Sequence, residues 1–183
     1  MNPLPDTEVD LDALHDASAA SIAAAFPIFK TVEAYRADRK SLPVPACLLS
    51  LIDMEPDPDH DPGTEQLAVV ASFEAQLILG FRRDEVERAV RKLAGAVAAH
   101  IHQQRWGQPV DAAQVMSISP DDFDPELDRY VVWRIEWQHV IHLGVSVFTD
   151  DGTIPTTVLS SWDPEVGPEN EEAYEPVVEG DDE

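Results

Sequence analysis

The stretch "QLAVVASFEAQLILG", residues 66–80, constrains the fold most. Leu67, Val69, Ala71, Phe73, Ala75, Leu77 and Leu79 recur at every second position, while Gln66, Ser72, Glu74 and Gln76 fall between them. Successive side chains of a strand point to opposite faces, so this period predicts a long strand with one face buried. A later stretch, "YVVWRIEWQHVIHLG", repeats the pattern. Val131, Trp133, Ile135, Trp137, Ile141 and Leu143 share one face, and Arg134, Glu136 and Gln138 share the other.

Two segments carry the helical period that could cover such a sheet. "VDLDALHDASAASIAAAF" places Leu11, Leu14, Ile22, Ala25 and Phe26 near one helical face, with Pro27 as the stop. From Asp84, a candidate N-cap with Glu87 completing a capping box, Val86, Val90, Leu93, Val97 and Ile101 follow at helical spacing, and Gly107 and Pro109 mark the expected end. "KTVEAYR", the nearly continuous apolar "VPACLLSLI", and "AAQVMSIS" read as further strands. The order helix, strand, strand, strand, helix, strand, strand predicts a two-layer α+β domain. Two helices pack on one face of a small, mostly antiparallel sheet, and part of the other face is polar enough for water or a neighbouring subunit.

Charge divides the chain. Asp150 to Glu183 holds 12 acidic residues and no Lys or Arg, half of a net charge of −24. Residues 1–149 therefore read as the folded domain and 150–183 as an acidic extension, with a short strand at "TTVLSSW" and a frayed end at "EGDDE". A surface this acidic repels phosphate backbones and excludes tight nucleic-acid binding as a first reading. The lone cysteine, Cys47, makes neither an internal disulfide nor a Cys-based zinc site and reads as a small buried hydrophobe. The start "MNPLPDTEVD" lacks the signal-peptide pattern, and no apolar run nears the roughly 20 residues of a membrane span. The expectation is a soluble protein of a reducing cytoplasm.

Candidate chemistry concentrates in "DMEPDPDHDPGTE", residues 53–65. Asp57, Asp59 and Asp61 match positions 1, 3 and 5 of a calcium loop, but Pro62 stands where Gly is needed and Ala68 where the bidentate Glu is needed. The stretch reads instead as a solvated acidic connection between two antiparallel strands, because Pro and Asp oppose strand continuation. A metal-dependent hydrolase using Asp57, Asp59, His60 and Asp61 is correspondingly remote. His100 and His102 cannot chelate one metal as an i, i+4 pair does, and His139 and His142 lie on opposite faces of their strand. "PDDFDPELD" reads as another acidic loop. No G-x-S-x-G and no glycine-rich phosphate loop occurs. Trp133 and Trp137 read as core or as a packed subunit contact. These residues predict no enzyme, no catalytic or metal residues and no cofactor.

The basic residues cluster at Arg36, Arg39 and Lys40 and from Arg82 and Arg83 through Arg88, Arg91 and Lys92. They suit contact with the acidic loops of an identical neighbour, and head-to-tail contacts close into rings where the rotation permits. A solvated helix face with pairs such as Glu87–Arg91 is the competing reading. The candidate inter-subunit or tube contacts are Arg36, Arg39, Lys40, Arg82 and Arg83 against Asp57, Asp59, Asp61, Asp121 and Asp122, from loops 53–65 and 120–128.

In order, "AAFPIFKTVEAYR", "LPVPACLLSLIDMEPDPD", "QLAVVASFEAQLIL", "VERAVRKLAGAVAAHIHQQRW" and "DRYVVWRIEWQHVIHLG" resemble the tail terminator proteins of tailed bacteriophages. The likeness is above all to minor tail proteins of Mu-like phages and prophages, with lambda-type terminators a wider relation. It covers roughly residues 9–148 and is one of element order, not of a catalytic motif. "SSWDPEVGPENEEAYEPV" is similar to C-terminal segments of the Mu-like proteins. The resemblance implies a homo-hexameric ring that caps the tail tube, stops its polymerisation and offers a surface to the head–tail connector or neck. The implied partners are the tail tube protein and the connector or neck protein. Genomic DNA passes through the lumen without specific binding, and no membrane is involved. The implied place is the head-proximal end of the virion tail, after assembly in the host cytoplasm. The acidic extension departs from the compact lambda-type pattern. Two alternatives accompany this reading: a neck or head–tail connector protein, and an acidic DNA mimic that inhibits a host DNA-binding protein.

Overall fold

The structure, a computed structural model, describes residues 8–34, 42–81, 84–121, 130–148 and 157–177. They belong to two compact units, Met1–Val147 and Phe148–Glu183. In the first unit, helix α1 spans Leu11–Ala25. Asp10 is extended, and its carboxylate accepts the Asp12 and Ala13 N–H groups at 2.9 and 3.0 Å, satisfying two donors that the first turn leaves open. The helix ends before Pro27, with the Phe26 N–H closing on the Ile22 carbonyl. Its inward face is Leu14, His15, Ser18 and Ile22, whereas Ala25, expected inside, is exposed. Ser18 Oγ donates to the His15 carbonyl at 2.7 Å, which satisfies the hydroxyl inside the core.

The sheet has five strands: β1 (Thr31–Ala34), β2 (Ala46–Pro56), β3 (Leu67–Phe81), β4 (Gln114–Pro120) and β5 (Tyr130–Leu143), in the order β1-β2-β3-β5-β4. β1 runs parallel to β2, and the other three pairings are antiparallel. The second helix, α2, spans Asp84–Ile101. One core joins Leu14 and Ile22 of α1 and Val97 and Ile101 of α2 to Phe73, Leu77, Ile135, Trp137 and Ile141 of the sheet. Both helices thus cover the same sheet face, and the domain is α+β in two layers. Phe73 and Trp137 are direct cross-strand partners, and their rings stack with centroids 5.6 Å apart. A smaller cluster of Leu42, Ala46, Leu48, Ile78 and Val132 lies on the opposite face at one end.

Three local readings change. β2 continues through Asp53, Met54 and Glu55 to Pro56, so the acidic connection is shorter than the proposed 53–65. Among the described residues β1 pairs with only the first four residues of β2, and a proline is tolerated where no described strand faces its missing N–H. α2 stops at Ile101, well before Gly107. Gln103 takes φ 68°, a left-handed conformation that ends a helix, and its N–H turns to the Ala113 carbonyl at 2.8 Å. Leu67, at the start of β3, remains 53% exposed although its period places it on the core face. The Asp84 side chain, and with it the capping box, lies outside what the structure describes.

The second unit contains a two-residue pairing of β6 (Leu159–Ser160) with β7 (Glu175–Pro176) and a 3₁₀ turn at Glu171–Ala173. The strand expected at "TTVLSSW" is this β6, whereas "EGDDE" lies outside the described residues. Among the described residues, no helix is long and apolar enough to cross a membrane.

Candidate interaction surface: the polar face of the sheet

The helix-covered face of β3 is apolar, and the middle of its other face, beyond the apolar cluster around Ile78, is an ordered polar field. The register sets two rows across the strands: Ser50, Glu74, Glu136 and Ser117, then Asp53, Ser72, Gln138 and Gln114. Glu74 and Glu136 are therefore direct cross-strand neighbours, an arrangement that repels when both are ionised. Arg134 relieves it. Its Nη1 lies 3.3 Å from Glu74 Oε2, and its Nε lies 3.3 Å from Glu136 Oε1. Ser117 Oγ donates to Glu136 Oε2 at 3.0 Å, and Gln138 Nε2 donates to Ser72 Oγ at 3.1 Å.

Glu74 is only 8% exposed. Burial pushes its carboxyl above the usual glutamate range, Arg134 pulls it back, and the charges of Asp121 and Glu136 push it up again. A raised carboxyl beside an arginine also occurs in acid–base sites, and here Ser50 and Ser117 share its row. The hydrogen bonds of this face are only partly made: Gln76 Oε1 and Arg134 Nε are buried with no hydrogen-bond partner among the described residues, and the arrangement suits a contact surface.

Asp121 is 7% exposed, and its N–H donates to the Val132 carbonyl at 3.0 Å. It belongs to the surroundings of Glu74 rather than to an exposed loop, and Pro120 before it is the last residue of β4. Asp57, Asp59 and Asp61 lie together in the β2–β3 connection. Asp57 Oδ1 accepts the Asp59 N–H at 3.2 Å and its Oδ2 accepts His60 Nδ1–H at 2.7 Å, while Asp61 Oδ1 accepts the Gly63 N–H at 2.8 Å. Two of the three carboxylates thus shape a 3₁₀ turn and the bend after it. The loop is tied to the sheet by His142 Nε2, which donates to the His60 carbonyl at 3.0 Å. Among the described residues no group of three or more His, Cys, Asp or Glu is placed to hold a metal ion. Arg36, Arg39, Lys40, Arg82, Arg83 and Asp122 lie outside the described residues.

His139, on the core side of β5, is 1% exposed. Its Nδ1–H donates to the Asp111 carbonyl at 2.7 Å, and its Nε2 accepts Trp137 Nε1–H at 3.3 Å. Those two bonds need the neutral ring, and burial holds its pKa below the usual histidine value. The odd spacing to His142 already placed these two rings on opposite faces. What the sequence lacked was the Asp111 carbonyl, supplied by the turn after α2. Glu74, Arg134 and Glu136 were likewise legible as same-face residues, but only the register makes them neighbours.

Fold and surface together define a two-layer α+β protein with one polar sheet face outside its helical cover. No protein-family model matches the chain, and no curated protein matches it.

Proposed function

We propose that this chain is a ring-forming structural subunit of a phage tail, which caps the tube, ends its polymerisation and presents a surface to the neck. The observation that carries the reading is the polar sheet face outside the helical cover, where Arg134 lies between Glu74 and Glu136, 3.3 Å from each. Such a face fits a wet protein–protein contact, since subunit interfaces commonly bury hydrogen-bonded polar groups along with apolar ones. The resemblance of residues 9–148 to tail terminators, the α+β fold and the net charge of −24 support the same reading. An acidic lumen lets DNA slide without sticking. Arg36, Arg39, Lys40, Arg82 and Arg83 are the proposed cations that meet acidic surfaces of the next subunit or the tube.

The test is twofold. The full-length protein is weighed by native mass measurement alone and with tail tubes, and tails are imaged from phage lacking the gene. The reading expects a closed oligomer near six subunits at the tube end, and tails of uncontrolled length without the protein. Uniform tails that still join heads in its absence would sink it. Charge reversal at Arg82 and Arg83 should weaken assembly most at low salt, where exposed charges are least screened.

A further inference from the structure

Residues 157–177 of the second unit hold six carboxylates, Asp163, Glu165, Glu169, Glu171, Glu172 and Glu175, and no Lys, Arg or His. The same segment leaves Trp162 87% exposed. Leu159 and Val177 are each more than half exposed. Trp162 stands on an ordered turn, since its carbonyl accepts the Glu165 N–H at 2.8 Å. An open groove of about 680 Å³ is lined by Leu159, Gly167, Pro168, Glu171 and Tyr174. The Tyr174 ring is fixed there, because its hydroxyl accepts the Gly167 N–H at 2.8 Å. Gly167 has φ 96°, a conformation that a side chain would strain. Leu159, Pro168 and the Tyr174 ring give the groove apolar and aromatic walls, and Glu171 adds a carboxylate. A second open groove shares Pro168 and Glu171 and adds Glu165, Glu169 and Glu172.

We propose that this groove binds an arginine side chain presented by a basic segment of another protein. The long apolar stem of arginine covers apolar walls while its head stays hydrated or paired. The planar guanidinium stacks on aromatic faces and pairs with a carboxylate through two parallel hydrogen bonds, and the groove offers both groups in Tyr174 and Glu171. Charge selects the occupant. Six carboxylates without a cation repel phosphates and acidic peptides, and an uncharged apolar ligand would desolvate the carboxylate without pairing it. Leu159, half exposed in the groove wall, supplies apolar area that excludes water around such an anchor. The inference holds whether or not the chain forms rings.

The full-length protein is titrated calorimetrically with a short arginine peptide, its citrulline counterpart and a lysine peptide of equal charge. The arginine peptide should bind best, and citrulline should lose at least about tenfold because the charge-assisted pair is gone. Glu171→Gln should weaken binding about tenfold. Asp16→Asn, on the exposed face of α1, should leave it unchanged. Failure of the arginine peptide to bind would overturn the proposal. So would equal binding of the lysine peptide, or a loss with Asp16→Asn as large as that with Glu171→Gln, since either means bulk charge attraction alone.

Discussion

Replacing Arg134 with methionine keeps much of the side-chain stem and removes the charge between Glu74 and Glu136. Breaking a fully buried ion pair on one side costs about 3–5 kcal/mol, and exposed pairs are worth about 0.2–1 kcal/mol. The Arg134 and Glu136 side chains are 34% and 33% exposed, while that of Glu74 is 11% exposed. Water therefore screens part of the interaction, and a loss of about 1–2 kcal/mol at pH 7 follows from a position between the two limits. The pH dependence has a definite sign. The folded state holds the Glu74 proton more tightly than the unfolded state, because burial raises its carboxyl. Its contribution to stability is thus least favourable above the folded pKa and improves as pH falls toward the ordinary glutamate value. Removing Arg134 removes the pull that opposes this rise, so the deficit of the variant should shrink on acidification from pH 7 to about pH 4.5. Urea unfolding of wild type, Arg134→Met, Glu74→Gln and the double variant at both pH values measures it. The coupling between the two sites should be about 1 kcal/mol at pH 7. A deficit equal at both pH values, or unchanged when Glu74 is already Gln, would show that Arg134 acts by packing and that the electrostatic account is wrong.

His139 has a folded pKa below its unfolded value, so its stabilising term is full above about pH 6.5 and is lost as pH falls below it. Urea midpoints measured between pH 7 and pH 5 should fall less steeply for His139→Phe than for wild type. The buried Cys47 thiol is pushed up to about 12, so a thiol reagent should label it in the native protein only at the rate of unfolding. Cys47→Ser should cost about 1–3 kcal/mol where its hydroxyl finds no partner, as read by urea unfolding. Asp10→Ala removes the acceptor of two helix N–H groups and should cost about 1 kcal/mol by the same measurement.

The long alternating stretches were the most legible part of the fold. Phe73 and Trp137 sit at core-facing positions of "QLAVVASFEAQLILG" and "YVVWRIEWQHVIHLG", and the structure buries both. Period two is imposed by strand geometry, whatever the partner strand. What a local pattern leaves open is the partner. The register that sets Glu74 against Glu136, and so makes Arg134 necessary, is a property of two strands some 60 residues apart. Helix ends were legible where a local breaker acts, as at Pro27. They were not where the end depends on a distant segment, as when Gln103 turns to the Ala113 carbonyl. His15 and Ser18 entered the core unannounced, because Ser18 satisfies its own hydroxyl on the His15 carbonyl and His15 packs edge-on against Phe73 at 5.6 Å.

The polar face has a charge balance that bears on what could cover it. Glu74 and Glu136 bring two carboxyls to one guanidinium, and the charges of Asp121 and Glu136 raise Glu74 further. A neighbour that covered this face with apolar residues would desolvate charge without pairing it, which costs more than the contact returns. Under the ring proposal, the covering surface must therefore bring cations. Protonating Glu74 lowers that demand by one charge. Assembly through this face should thus weaken with salt at pH 7 and weaken less with salt near pH 5, as read by native mass at each condition. Assembly equally sensitive to salt at both pH values would remove Glu74 from the contact, while leaving the fold and the rest of the network as they stand.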